Sequence, residues 1–247
     1  MSALLVSHHW KPYTHHSPSG GYERLVWFMA KIRDTKLLTW RKYGDVFPND
    51  AQEPFKVSRI TTPPTDILLE RRLMLSWQAM QMAKSYDVVH ALYSIPALFP
   101  SWRHPTIATV HVLPEVKPGL WTQFHGIVQK FLFKHVSHII VVSTNLYDVL
   151  VERYGPDRIT YIPHGVDIHI FKPDIIDISE VRQKLLKDRF SKIVSVVGAH
   201  GIDNNLIKSL ALEYPDILFI IVNRAILTHN NSEMRGIRRI LSSLSNI

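Results

Sequence analysis

Short apolar runs recur along the chain, separated by stretches in which apolar residues return every three or four positions. The runs are ALLVS (residues 3–7), KLLTW (36–40), DVVHAL (87–92), TIATVHV (106–112), HIIVVS (138–143) and ITYIP (159–163). They are rich in branched aliphatic residues, lack strict alternation and end in turn-forming or polar residues. That pattern predicts strands buried on both faces of a parallel sheet. Between them, YERLVWFMAKI predicts a helix with Leu25, Phe28, Met29 and Ile32 on one face. ILLERRLMLSWQAMQMAK predicts a long amphipathic helix carrying Leu68, Arg71, Arg72, Leu75 and Met82. TNLYDVLVERYG predicts a third, capped by Ser143 or Thr144, buried through Leu146, Val149, Leu150 and Tyr154, and ended by Gly155. Strand and helix in this succession mean an α/β sheet with right-handed crossovers, Rossmann-like in architecture.

The pattern changes after PHGVD (163–167). Residues 171–191 contain Pro173 and mixed charges without a strand signal, and read as a linker with one short helix. A second strand–helix–strand unit follows in KIVSVVG, NNLIKSLALEY and DILFIIVN. The expected domains are therefore 1–170, a linker at 171–191, and 192–247. A complete open α/β domain needs roughly 100 residues, so the last is expected to be a partial second Rossmann-like domain.

Composition narrows the chemistry. The 247 residues are 46% hydrophobic and 20% charged, enough apolar material for real cores and too little charge for wholesale disorder. The net charge of +8 favours an anionic partner: nucleotide, phospholipid headgroup or nucleic acid. With no cysteine, disulfides and thiolate catalysis are excluded, and a cytosolic protein is the expectation. SALLVS is too short for a signal-peptide core, and no run approaches ~18 apolar residues, so neither leader nor transmembrane helix is expected.

From YDVVHALYS onward the order becomes specific: TIATVHVLPE, a helix, VSHIIVVSTNLYDVLVERYG, then DRITYIPHGVDIHIFKP. This series resembles the N-terminal half of the retaining GT-B glycosyltransferases of family 4 across residues 1 to about 173. Gly20 and Gly21, in the loop after the first strand, fit the start of that family. The resemblance implies a GT-B type fold, a nucleotide-sugar donor, a carbohydrate or lipid-linked acceptor, retention of anomeric configuration, and no metal or other cofactor. Polysaccharide or glycolipid assembly at the cytoplasmic face of a membrane is the default role. The chain departs from the family in two places. The second unit begins VVGAHGIDNN without the family's basic residue, and no Glu is followed by another Glu eight positions on; Glu180 with Asp188 comes nearest. A second chain supplying the donor half is a partner this reading admits.

Candidate residues follow, each with an alternative. The resemblance makes His111, at the end of TIATVHV, the histidine that hydrogen-bonds the donor sugar and so the catalytic candidate; the alternative is a core histidine on a backbone carbonyl. Gly20 and Gly21 precede a helix whose N-terminus favours a diphosphate, or they form a plain turn. Residues 7–19 would help shape the acceptor side. Glu115 would position an acceptor hydroxyl, or is a solvated carboxylate. Arg71 and Arg72 would meet a lipid-linked phosphate or the membrane surface, or are solvated. WTQFHGIVQKFLFKHVSH, with Phe124, Ile127, Val128, Phe131 and Leu132 beside Lys130, Lys134 and His135, packs on the core or lies on anionic lipid. His164 and Gly165 mark the crossing into the second domain as a hinge, Gly165 supplying backbone geometry other residues disfavour. His8, His9, His15 and His16 lack the spacing of a helical metal site, so no metal ligand is assigned.

Two functions stand at this point. One is a glycosyltransferase acting on a nucleotide-sugar. The other is a non-catalytic acceptor-binding or regulatory partner that kept the N-terminal domain. Nucleic-acid binding rests on net charge alone, without a recognisable motif, and is not expected.

Overall fold

A computed structural model of the chain describes residues 1–8, 21–42, 51, 53–62, 68–112, 120–166, 168–169, 172, 179, 183, 190–197 and 203–222. The chain divides into two compact units, Met1–Gly165 and Val166–Ile247. In the first, strands β1 (Ala3–Val6), β2 (Thr35–Lys42), β3 (Lys56–Thr62), β4 (Val88–Ala91), β5 (Thr106–Val110), β6 (His138–Val141) and β7 (Ile159–Tyr161) form one sheet. Its order is β3-β2-β1-β4-β5-β6-β7. Every pairing is parallel, with Leu5 of β1 opposite both Leu37 of β2 and His90 of β4. The order reverses direction between β1 and β4, and at such a switch point the strand ends splay into a crevice.

Alternation along β1 divides the core. Leu4 and Val6 join a cluster with Val89, Ala108, Ile139, and Leu75 of α2 (Leu68–Ala83), Leu132 of α3 (Leu120–His135) and Leu150 of α4 (Thr144–Tyr154). Leu5 points the other way and packs with Leu37, Leu92, and Val26 and Ala30 of α1 (Gly21–Ala30). Each fully buried leucine stabilises the fold by about 1.5–3 kcal/mol relative to exposure. The six apolar runs all form strands. β3 was not anticipated, because KVSRITT has no apolar run; it lies at the sheet edge, where one side needs no burial.

Two helix faces differ from expectation. Leu25, Phe28, Met29 and Ile32 were assigned to the buried face around α1, but Phe28 is 50% and Ile32 62% exposed, whereas Val26 and Ala30 are buried. The large side chains suggested the stripe, yet close approach of the helix to Leu5 and Leu37 selects the small residues four apart. α3 does pack on the core, through Leu132, Phe133 and part of Val128, and leaves Ile127 and Phe131 exposed. For α4 the expected cap is present: the Ser143 hydroxyl oxygen accepts from the Leu146 N–H at 3.3 Å. Gly155, at its other end, has φ +82°, where a side chain is strained.

Gly165 corrects an expectation. The only glycine with positive φ among the described residues is Gly155, and a Cβ added at Gly165 meets nothing within 4 Å. No backbone requirement for glycine exists there. In the second unit, β8 (Lys192–Val197) and β9 (Ile217–Val222) pair in parallel, and α5 (Asn204–Glu213) adds Ile207 and Ala211 against Phe219. Asp203 caps α5 by accepting from the Asn205 and Leu206 N–H groups at 3.0 and 3.1 Å. The short helix anticipated within 171–191 lies mostly outside the described residues.

Candidate active site

In a parallel sheet, residues just beyond the strands' carboxyl ends converge on one edge. Here those residues are His8 after β1, Tyr93 after β4, His111 after β5 and His164 after β7. Tyr22, in the first turn of α1, completes an aromatic cluster. The His8 and Tyr93 rings meet edge-on at 3.9 Å between centroids. Tyr22 lies 5.0 Å from Tyr93 and 5.3 Å from His111, and Tyr93 lies 5.1 Å from His111. His164 stacks on His111 at 5.1 Å with 21° between planes, and Nδ1 of His111 sits 3.2 Å from Nε2 of His164. One proton shared between those two nitrogens fixes complementary tautomers.

Hydrogen bonds hold the frame. The Tyr22 hydroxyl donates to the Leu92 carbonyl at 3.3 Å and accepts from the Ser7 hydroxyl at 3.3 Å. The Trp40 indole N–H donates to the His8 carbonyl, tying the end of β1 to β2. One position before the end of β4, His90 places Nε2 2.8 Å from the Thr109 hydroxyl.

The electrostatics favour neutral imidazoles. Burial, with the nearby His164 adding to it, lowers the His111 pKa to about 4, against an opposing hydrogen bond to the Leu92 carbonyl. Burial, then the proximity of His111, lowers His90 to about 4 as well. At neutral pH both rings are uncharged, able to donate from one nitrogen and accept at the other. Such an edge suits the hydroxyl groups of a sugar, which need both functions.

The two arginines of α2 separate. Arg71 is buried beneath β2, its Cζ 4.8 Å from the centre of the Trp40 ring. Arg72 turns to the cluster: its Nη2 lies 3.0 Å from His8 Nε2 and its Cζ 5.6 Å from the Tyr93 ring. Gly21 is the first residue of α1, adjoining Tyr22. His164 and Gly165 are the last residues of the first unit, and His164 also enters the cluster. Gly20, Glu115, His9, His15 and His16 lie outside the described residues. Among the described residues, no group of three or more His, Asp or Glu side chains is placed to hold a metal ion.

Tyr22 and Tyr93 were not singled out for this edge by the sequence reading, and His8 entered it only within residues 7–19, although the signal was present. His8 and Tyr93 directly follow predicted strands that flank the switch point. A separate apolar groove of about 570 Å³, lined by Ile60, Thr61, Leu73, Met74, Trp77, Gln78 and Phe99, shares no residue with the cluster.

Comparison with known proteins adds the context. The chain is similar to the Anabaena protein HepE, solved in complex with UDP-glucose, at TM-score 0.69 and 20% identity, covering 100% of this chain and 66% of that one. It is similar to a glycosyltransferase from Rickettsia africae (TM-score 0.63, 15% identity, 98% of this chain and 65% of that one). A trehalose-phosphate synthase from Burkholderia xenovorans, solved with glucose-6-phosphate, gives TM-score 0.59 at 14% identity over 100% of this chain and 72% of that one. The chain thus spans just under two thirds of the length of the first two. At these identities the likeness is one of fold, the GT-B type with Rossmann-like parallel sheets. No curated protein sequence matches the chain. The sequence model of Glycosyltransferase Family 4 matches residues 40–170, more than half of the chain and the segment bearing Arg72, Tyr93, His111 and His164; the chain belongs to that family.

Proposed function

We propose that the chain acts in glycosyl transfer, moving a sugar from a nucleotide-sugar to a carbohydrate or lipid-linked acceptor with retention of configuration. The observation that carries the reading is the neutral His111 imidazole within an aromatic cluster at the carboxyl edge of β1, β4 and β5. In this reading His111 hydrogen-bonds the donor sugar beside the reacting carbon. The N-terminus of α1 at Gly21 directs backbone N–H groups toward the departing diphosphate, where negative charge grows in the transition state. The leaving phosphate assists its own departure, and no metal or other cofactor takes part. The HepE structure with UDP-glucose is in keeping with such a donor. A second chain contributing donor-side residues is a proposed partner.

The site of action is proposed to be the cytoplasmic face of a membrane, with peripheral contact. Among the described residues no helix is long and apolar enough to cross a bilayer. The start of the second unit, VVGAHGIDNN, lacks the basic residue that the resemblance places there, which favours a second reading: an acceptor-binding or regulatory partner without donor chemistry.

Calorimetry of the full chain with UDP-glucose and related sugar nucleotides, followed by a transfer assay, separates the two. The transferase reading expects saturable donor binding, and transfer that falls by about 100-fold or more in His111→Ala. Absence of donor binding, alone and with candidate donor-side chains, would reject it in favour of the binding partner.

A further inference from the structure

Arg72 carries a full positive charge into a mostly enclosed place beside the cluster. A guanidinium only donates hydrogen bonds, so the 3.0 Å contact makes His8 Nε2 the acceptor and leaves the His8 proton on Nδ1. Among the described residues the Tyr93 ring lies 5.6 Å from Cζ, and Tyr22 also acts on Arg72 electrostatically. None of these three side chains bears a carboxylate. The Nε atom of Arg72 is buried and makes no hydrogen bond among the described residues. No carboxylate lies within ion-pair distance of Arg72 among the described residues, where the one ion pair is Arg33 with Asp34.

Buried charges in folded proteins are paired, because desolvating an ion without a counter-ion is costly. Burial accordingly lowers the Arg72 pKa. Among the described residues Nη2 meets His8 while Nε has no hydrogen bond, and the planar fork of a guanidinium matches the two oxygens of a phosphoryl or carboxylate group. The location is the switch point between β1 and β4, where open α/β sheets take ligands.

We propose that Arg72, with His8 and Tyr93 as its walls, is the receptor for an oxyanion, a phosphoryl or carboxylate group, borne by the acceptor. The word acceptor rests on the transferase reading above; the oxyanion site does not. It gives the substrate class a chemical limit: the acceptor is anionic close to the hydroxyl that receives the sugar. Arg71 has no part in this, since its guanidinium lies against Trp40.

The test uses the full chain, with inorganic phosphate and acetate as probes at constant ionic strength. Histidine ring resonances and the thermal midpoint are followed together. Phosphate, acetate or both are expected to shift the His8 signal saturably and to raise Tm, and the responding probe assigns the oxyanion. Arg72→Gln keeps an N–H for His8 while removing the charge. It is expected to show an unchanged or higher Tm without ligand and no saturable response to either probe. Arg72→Lys retains the charge without the fork and is expected to bind on the order of 10-fold more weakly. Arg33→Gln, at an exposed turn, should match the parent.

Three results would each overturn the proposal: no response of the parent to either probe, an undiminished response in Arg72→Gln, or loss of folding in Arg72→Gln. The last counts because a charge held for a ligand is dispensable to the free fold. The transferase reading fails separately. A chain that binds phosphate through Arg72 but no sugar nucleotide keeps the site and loses the enzyme.

Discussion

His90 and His111 stand on neighbouring strands, and each is held neutral by burial at a pKa of about 4. An unfolded histidine titrates near 6.5. Between the two values the unfolded chain binds more protons than the folded one, so stability rises with pH through that window. The contribution is complete above pH 6.5 and is lost as pH falls toward 4. Urea unfolding at pH 7 and pH 5 should therefore give a lower midpoint at pH 5. His90→Gln should reduce that difference, because it removes the more enclosed of these two rings while retaining a donor for Thr109. An undiminished difference in His90→Gln would mean that other groups set the acid sensitivity. At this scale the sequence pointed to His111 through its place in a motif. It could not reveal that His164, fifty-three positions away, would stack on it. That contact exists because β5 and β7 flank β6 and end on one edge.

At the scale of elements, period and length sufficed to locate helices, but not to orient them. α1 illustrates why. Its apolar residues nearly encircle the helix, so the sequence offers several stripes of similar hydrophobicity. The distance to the sheet chooses among them, and Val26 with Ala30 allows the closest packing on Leu5 and Leu37. Val26→Asp should destabilise the fold by about 3 kcal/mol or more, since it buries a carboxylate without a partner. Phe28→Asp should change stability by about 0.5 kcal/mol or less. Chemical denaturation of the two variants decides between the faces; equal losses would restore the stripe through Phe28. β3 went unread for a related reason. An edge strand is held by its register with β2, from Lys36 opposite Lys56 to Lys42 opposite Thr62, and needs no apolar run of its own.

For the whole molecule, the net charge of +8 gains meaning from where aromatic residues emerge. Trp77 of α2, Phe99 and Trp102 of the β4–β5 connection and Phe131 of α3 form a chain of edge-on rings, with centroids 5.9, 5.4 and 6.0 Å apart. Trp77, Trp102 and Phe131 are each more than two fifths exposed. α3 contains Lys130 and Lys134 and no acidic residue, and Arg103 follows Trp102. Exposed aromatic rings among cations suit the headgroup layer of an anionic membrane, the peripheral contact proposed above. Vesicles containing phosphatidylglycerol should co-sediment with the chain, and neutral vesicles much less so. Trp102→Ser with Phe131→Ser should reduce binding by about 10-fold with little change in Tm; unchanged binding would remove this surface from consideration. The sequence by itself determined six of the seven strands of the first sheet, the α/β class and, through the order of its motifs, the family, because these depend on local periodicity and on residues adjacent along the chain. The tertiary structure alone decided which helix faces are buried, which of two adjacent arginines meets the strand ends, and that His8, Tyr22, Tyr93, His111 and His164 share one edge. Those outcomes depend on strand order, which brings together side chains that no local pattern relates.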